Sequence, residues 1–319
     1  MSDTPAVPAA TNGGPGFQPR VAPHAAEVGG LWSACGVDSE VAPLGQVLLA
    51  RPPRTLDSVQ DPEHWHMLRR PDRAALDAAS ARLAATYEDL GVAVSWLDAP
   101  DAPPNLVFAR DLFVMTPEGA VLARMGAAVR AGEERACAAG LAALGVPILA
   151  TPRGTETLEG ADALFLGDRV VIGVGLRTNR AGARRLQGVL ADQGIASTTV
   201  DMPADGVQHL LGIVTPVDGQ RVLLREARAT DGIRGVLRDL GLEPLSLPET
   251  PELVEGRGAN LVAVGPGVVV MPRAPALQAR LESLGIRCHP LDMGPYLDAA
   301  GGVACATGVL RRDPIRTAG

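Results

Sequence analysis

The sequence predicts an α/β propeller: five repeated hairpin–helix–strand units in pseudo-fivefold symmetry. Three observations predict it. First, five segments end alike, with a helical run, a Gly and a short apolar strand. They are Asp89-Leu90-Gly91-Val92, Ala143-Leu144-Gly145-Val146, Asp192-Gln193-Gly194-Ile195, Asp239-Leu240-Gly241-Leu242 and Ser283-Leu284-Gly285-Ile286. Second, these glycines recur at intervals of 54, 49, 47 and 44 residues, a spacing typical of repeat architectures. Third, paired apolar stretches with turn residues at their centres lie between them, the pattern of a β-hairpin.

The elements follow in order. Residues 1–34 are rich in Pro, Ala and Gly and are expected to form a flexible tail. The first strand is expected over 44–51 and a helix over 72–90. In that helix Leu76, Ala79, Leu83, Tyr87 and Leu90 recur at three- and four-residue steps and make one apolar face. A strand over 92–97 completes the opening unit, which lacks one hairpin partner. Four complete units come next. Their hairpins pair 107–116 with 120–125, 161–166 with 170–174, 212–217 with 221–225, and 261–264 with 268–271. A Gly after each helix suits a left-handed C-cap, which a side chain would penalise. The stretch 305–310 can supply the missing strand, closing the ring from both chain ends. One domain over 35–314 is expected, with a C-terminal tail over 315–319.

Composition narrows the function. Apolar residues make up 46% and charged residues 20%, well outside the disordered regime. All 29 basic residues are Arg, the formal charge is −7 and the pI about 5.3. That balance argues against a nucleic-acid binder and leaves room for a cationic small molecule in an acidic pocket. No apolar run approaches the roughly 18 residues of a membrane span, and no signal peptide is expected. The four cysteines, at 35, 137, 288 and 305, show neither a C-x-x-C motif nor zinc spacing. A reduced, cytoplasmic protein without metal or cofactor is expected, as monomer or homodimer.

The repeat also locates a site, because residues at one phase of each unit share one radius from the axis. Counted from its cap Gly, Asn105 lies 14 residues on and Asp111 lies 20. Glu159 lies 14 on, His209 15, Arg257 16 and Cys305 20. Two carboxylates, a His and a Cys therefore converge if these hairpin starts face the axis. Such a set suits covalent catalysis on an electrophilic carbon, and the carboxylates imply that this carbon belongs to a cation.

At these residues the chain resembles the guanidine-modifying enzymes: arginine deiminase, dimethylarginine dimethylaminohydrolase and the amidinotransferases. Their shared fold is the five-bladed pentein propeller. The resemblance runs from about Cys35 to Asp313 and rests on five motifs in order. These are Pro104-Asn105-Leu106-Val107-Phe108-Ala109-Arg110-Asp111, Leu158-Glu159-Gly160-Ala161-Asp162, Gly175-Leu176-Arg177-Thr178-Asn179, His209-Leu210 and Gly301-Gly302-Val303-Ala304-Cys305. The resemblance implies a hydrolase of arginine or an N-substituted arginine-like substrate, giving citrulline or a ureido analogue and ammonia or an alkylamine. An amidinotransferase and an arginine dihydrolase giving ornithine are the alternatives it leaves.

By the same resemblance, Cys305 is the nucleophile that forms a thiouronium intermediate and His209 the general acid and base. Glu159 and Asp111 hold the guanidinium, with Asn105 and Asp162 beside them. Arg177 is the arginine for the substrate carboxylate and Arg130 a second one. Physical chemistry agrees, since guanidinium keeps its proton at ordinary pH and a nearby cation favours thiolate.

Three positions depart from the family pattern. Ala161 replaces the second Gly of Glu-Gly-Gly-Asp, Leu211 stands where deiminases place an Asp, and Ala304 precedes the nucleophile where a basic residue is common. The Leu211 change removes one anchor for an unsubstituted guanidinium. Elsewhere His64 and His66 flank Trp65 without completing a metal set, so an entry loop or packing is expected. Cys137 falls on an apolar helix face, Cys35 and Cys288 have no catalytic context, and Arg311-Arg312-Asp313 reads as a solvated tail.

Overall fold

Five three-stranded sheets make up the computed structural model, which describes residue 6 and residues 8–313. Strand β1 (Leu44–Ala50) runs parallel to β2 (Ala93–Leu97), with helix Arg73–Asp89 between them. β3 (Phe113–Thr116) and β4 (Gly119–Leu122) form a hairpin. After helix Glu133–Ala143, β5 (Ile148–Ala150) pairs parallel with β4. The unit repeats as β6 (Ala163–Leu166), β7 (Arg169–Val174) and β8 (Ala196–Asp201) around helix Arg180–Asp192. It repeats again as β9 (Val214–Pro216), β10 (Arg221–Arg225) and β11 (Glu243–Leu247) around helix Asp231–Asp239. The last full unit is β12 (Val262–Gly265), β13 (Val268–Pro272) and β14 (Arg287–Leu291) around helix Pro275–Ser283. β15 (Gly308–Arg312) pairs antiparallel with β1, so the opening blade is assembled from both ends of the chain. β15 also packs on β3 and β1 on β12, which closes the ring.

Local chemistry sets these elements. Asp72, Asn179 and Thr230 cap three of the helices by accepting the N–H groups of Ala75, Gly182 and Ile233. The five cap glycines all take positive φ, between 65° and 81°, where an L side chain is strained. Helix Arg73–Asp89 buries Leu76, Ala79, Leu83 and Tyr87, the apolar face its spacing predicts. Central strands such as β7 are buried on both faces through Val170, Val171 and Ile172, as a sheet with a helical layer requires.

Three features differ from the expectation. Residues 107–112 are not strand. Two single 3-10 turns, Pro104–Val107 and Ala109–Asp111, precede β3, because Pro104 sits at the first helical position with its φ already set. This coiled entry turns Asn105 and Asp111 toward the axis before the hairpin begins. Within the stretch expected as a tail, His24 Nε2 lies 3.0 Å from the Glu118 carbonyl, and Ser33 Oγ donates to the Leu144 carbonyl at 2.6 Å. The first residues of that stretch and the expected tail 315–319 lie outside the described residues. Finally, Arg311-Arg312-Asp313 is no solvated tail. Arg312 ends β15 buried, its guanidinium donating to the Ala42 carbonyl near the Glu40 carboxylate. Glu40 in turn binds Arg110 through two hydrogen bonds of 2.9 and 3.2 Å, so Arg110 points away from Asp111. Among the described residues no helix is long and apolar enough to cross a membrane.

Candidate active site

The same local device presents Asp111, Glu159, His209 and Cys305. A single helical turn precedes the first strand of a blade, and the residue at its start or within it faces the axis. Asp111 ends the turn before β3. Glu159 and His209 are the extended residues leading into the turns before β6 and β9, and Cys305 lies in the turn before β15. Repeat symmetry thus brings together residues as far apart in sequence as Asn105 and Cys305. Asn105, Asp111, Arg130, Arg177, His209 and Cys305 line one narrow cleft, and Glu159 lies directly beneath it, fully buried.

Glu159 is the hub. Its Oε2 lies 2.6 Å from His209 Nε2, and its Oε1 accepts the Gly126 N–H at 2.9 Å. Arg130 and Arg177 each place an Nη1 3.4 Å from its carboxylate oxygens. Burial alone would raise its pKa. The Arg130 charge, the His209 bond and the Arg177 charge overcome burial and hold the carboxyl well below the ordinary range. His209 responds in the opposite sense. Burial disfavours its charged form, yet Asp111, the Glu159 bond and Asp162 raise its pKa to about 9, which favours the imidazolium. Asp162 stands behind the pair. It accepts Thr178 Oγ1 at 2.7 Å and the Leu210 N–H at 3.0 Å, which fixes the backbone beside His209. Burial raises its pKa to about 6.

Arg130, expected as a second arginine for the substrate carboxylate, is buried and holds carboxylates of the protein itself. Its Nε and Nη2 bind Glu133 at 3.0 and 2.8 Å, and its Nη1 binds Asp111 Oδ2 at 2.8 Å. Arg177 is likewise engaged, by Glu159 and by Gln208 Oε1 at 3.1 Å. Asp111, Glu159 and His209 bring one ligand atom each within 4.8 Å of one another, close enough for a cation. The guanidinium of Arg130 already bonds both of these carboxylates.

Cys305 is half-buried and unpaired. Burial and the Asp111 charge raise its pKa, while the Arg257 charge and Asn260 oppose them. Asn260 clasps it twice: Nδ2 lies 3.1 Å from Sγ, and Oδ1 accepts the Cys305 N–H at 3.2 Å. Sequence reasoning missed Asn260 and Glu133. Signals for both were present. Asn260 falls 19 residues after Gly241, nearly the phase of Cys305, and Glu133 stands three residues beyond Arg130 in the first turn of a helix. His66 lines the cleft at φ 56°, and the Trp65 carbonyl before it accepts Asn105 Nδ2 at 2.9 Å. The His64–His66 loop is therefore part of the site wall. Cys137 is fully buried, as its helix face predicts.

A five-bladed ring whose axis holds a Cys, a His and paired carboxylates defines the guanidine-modifying superfamily, and this chain belongs to it. Residues 100–226 match the family model of arginine deiminase. Dimethylarginine dimethylaminohydrolase of Pseudomonas aeruginosa is 26% identical, covering 75% of this chain and 89% of that enzyme. Its structure with citrulline matches at a TM-score of 0.69 and 22% identity, over 85% of this chain and all of that one. An arginine deiminase of Mycobacterium marinum is 31% identical over 50% of this chain and 48% of its own length. An amidinotransferase of Microseira wollei matches at a TM-score of 0.72 with 15% identity, over 89% of this chain and 99% of that one.

Proposed function

We propose that the chain hydrolyses the guanidinium group of arginine or an N-substituted arginine-like compound, with Cys305 as nucleophile. One observation carries this reading. Asp111 Oδ1 and Asn105 Oδ1 are buried acceptors without a hydrogen-bond donor among the described residues, His209 Nδ1 standing 3.9 Å from Asp111 Oδ1, and both residues line the cleft that holds Cys305 and His209. Unpaired buried acceptors are costly, and a guanidinium supplies N–H donors together with the charge a carboxylate needs. The relatives named above act on the same group.

In this reading the substrate cation offsets the Asp111 charge that opposes ionisation of Cys305, the thiol proton passes to solvent, and the Asn260 amide donates to the sulfur. The thiolate adds to the guanidinium carbon, forming a C–S bond. The His209 imidazolium gives its proton to the departing nitrogen, the C–N bond breaks, and a thiouronium remains on Cys305. Neutral His209 then takes a proton from water as the water oxygen adds to the carbon. The C–S bond breaks, the ureido product leaves, and the water's second proton departs on the freed amine as an ammonium ion. Glu159 keeps His209 oriented throughout and favours its imidazolium form.

The test is incubation with arginine, N-methylated arginines, agmatine and guanidino acids, following ureido product and released amine. Wild type forms ureido product from at least one of these, and Cys305→Ser forms none. Full activity in Cys305→Ser overturns the assignment. Turnover that requires an added amine replaces hydrolysis by amidino transfer, and ornithine as product replaces it by dihydrolysis.

A further inference from the structure

The orphaned acceptors lie on one side of Cys305, and an orphaned donor lies on the other. A chamber of about 320 Å³ opens beside the thiol, walled by Leu211, Val207, Arg225 and Arg257. It meets the narrow cleft at His209 and Cys305, which line both. A group reacting at Cys305 therefore has room for one arm in each direction. Leu211 and Val207 make part of the chamber wall apolar.

The two arginines of the chamber differ. Arg225 is paired, with Nε 2.9 Å from Glu249 Oε1. Arg257 forms no ion pair among the described residues, and its Nε is buried without an acceptor. A guanidinium half removed from water with no counter-ion is costly, and an anion offsets that cost. The backbone adds an independent sign. Arg257 adopts φ 49°, although Gly256 and Gly258 flank it and would take that conformation more easily. Left-handed φ at a non-glycine residue is strained and collects at ligand-holding positions. The donors of Arg130 and Arg177 are meanwhile engaged by Glu133, Asp111, Glu159 and Gln208.

We propose that Arg257 is the anion-binding residue of a second subsite, and that the substrate is a guanidine whose arm on the Leu211 side ends in a carboxylate. The guanidinium rests on Asp111 and Asn105, methylenes run along Leu211 and Val207, and the carboxylate meets Arg257. This rests on the guanidine-hydrolysing reading above and deepens it.

The test needs no turnover. Full-length protein is alkylated with iodoacetamide while Cys305 modification is followed by peptide mass spectrometry. Two protectants are compared, 3-guanidinopropionate and propylguanidine, which differ only by a carboxylate in place of a methyl. The acid is expected to protect at a concentration at least tenfold lower in wild type. That preference falls below twofold in Arg257→Met and is kept in Arg177→Met. Arg257→Gln is the second variant, with the same expected loss, should the Met variant not fold. Equal protection by both compounds in wild type overturns the proposal, as does a preference that survives loss of the Arg257 charge. If neither guanidine protects a thiol that iodoacetamide reaches, the guanidinium site itself fails, and the hydrolase reading fails with it.

Discussion

Replacing Glu159 by Gln isolates the electrostatics of the site, because the side chain keeps its shape and loses its charge. His209 is raised from 6.5 to about 9, a preference for imidazolium of about 3 kcal/mol at roughly 1.4 kcal/mol per pH unit. Burial opposes that preference, and Asp111, the 2.6 Å Glu159 bond and Asp162 supply it. A charge-assisted hydrogen bond contributes about 1.5–3 kcal/mol, so its loss lowers the His209 pKa by about one to two pH units. The sign follows from the chemistry. In the proposed reaction the leaving nitrogen takes its proton from His209, so kcat/KM falls as pH rises through the pKa of that group. In wild type this alkaline limb is expected near pH 9, and in Glu159→Gln between about pH 7 and 8. The rate at the optimum should fall by about 10²- to 10³-fold, within the range of a mispositioned acid–base group. The assay is ureido product formation from pH 6 to 10, paired with an NMR titration of the His209 ring nitrogens. An alkaline limb that stays near pH 9 in the variant refutes the reasoning, since Glu159 would then not sustain the His209 charge.

Four further outcomes follow from packing. Glu40→Ala leaves Arg110 and Arg312 buried without their anion; removing one partner of such a set costs about 3–5 kcal/mol, which thermal unfolding reads as a fall of about 6–15 °C. Gly188→Ala, in helix Arg180–Asp192 with open space around a new Cβ, should stabilise by about 0.4–1 kcal/mol in denaturant unfolding. Gly160→Ala should lower stability in the same assay, because its Cβ would lie 2.2 Å from the Phe113 carbonyl oxygen and 2.4 Å from that of Arg110. Cys137, fully buried, should resist iodoacetamide in the native protein and react only after denaturation, whereas Cys305 is modified in both states.

Much of the site was legible because it inherits the repeat. Asp111, Glu159, His209 and Cys305 stand at related phases, and the turn before each first strand aims them inward, so counting from the cap glycines found them. The 3-10 turns over 104–111 were not legible. Leu106, Val107, Leu112 and Phe113 are apolar in either conformation, and a short apolar run does not distinguish a strand from a buried turn. Arg312 misled for a related reason: an Arg-Arg-Asp run near a chain end is usually solvated, and only the closure of β15 on β1 removes it from water.

By itself the sequence determined the number of blades, the place of each helix end and the joining of both chain ends in one blade. These depend on local rules: a 3.6-residue apolar period, left-handed glycine caps and hairpin turns. Only the tertiary structure decided which charges meet. It set Arg130 on Glu133 and Asp111 and away from solvent, put Glu159 against His209, clasped Cys305 with Asn260 and left Arg257 without a counter-ion among the described residues. Such partnerships join residues up to tens of positions apart. The energy of a buried charge depends on distances of a few ångströms and on exclusion of water, and neither is written in the order of the residues.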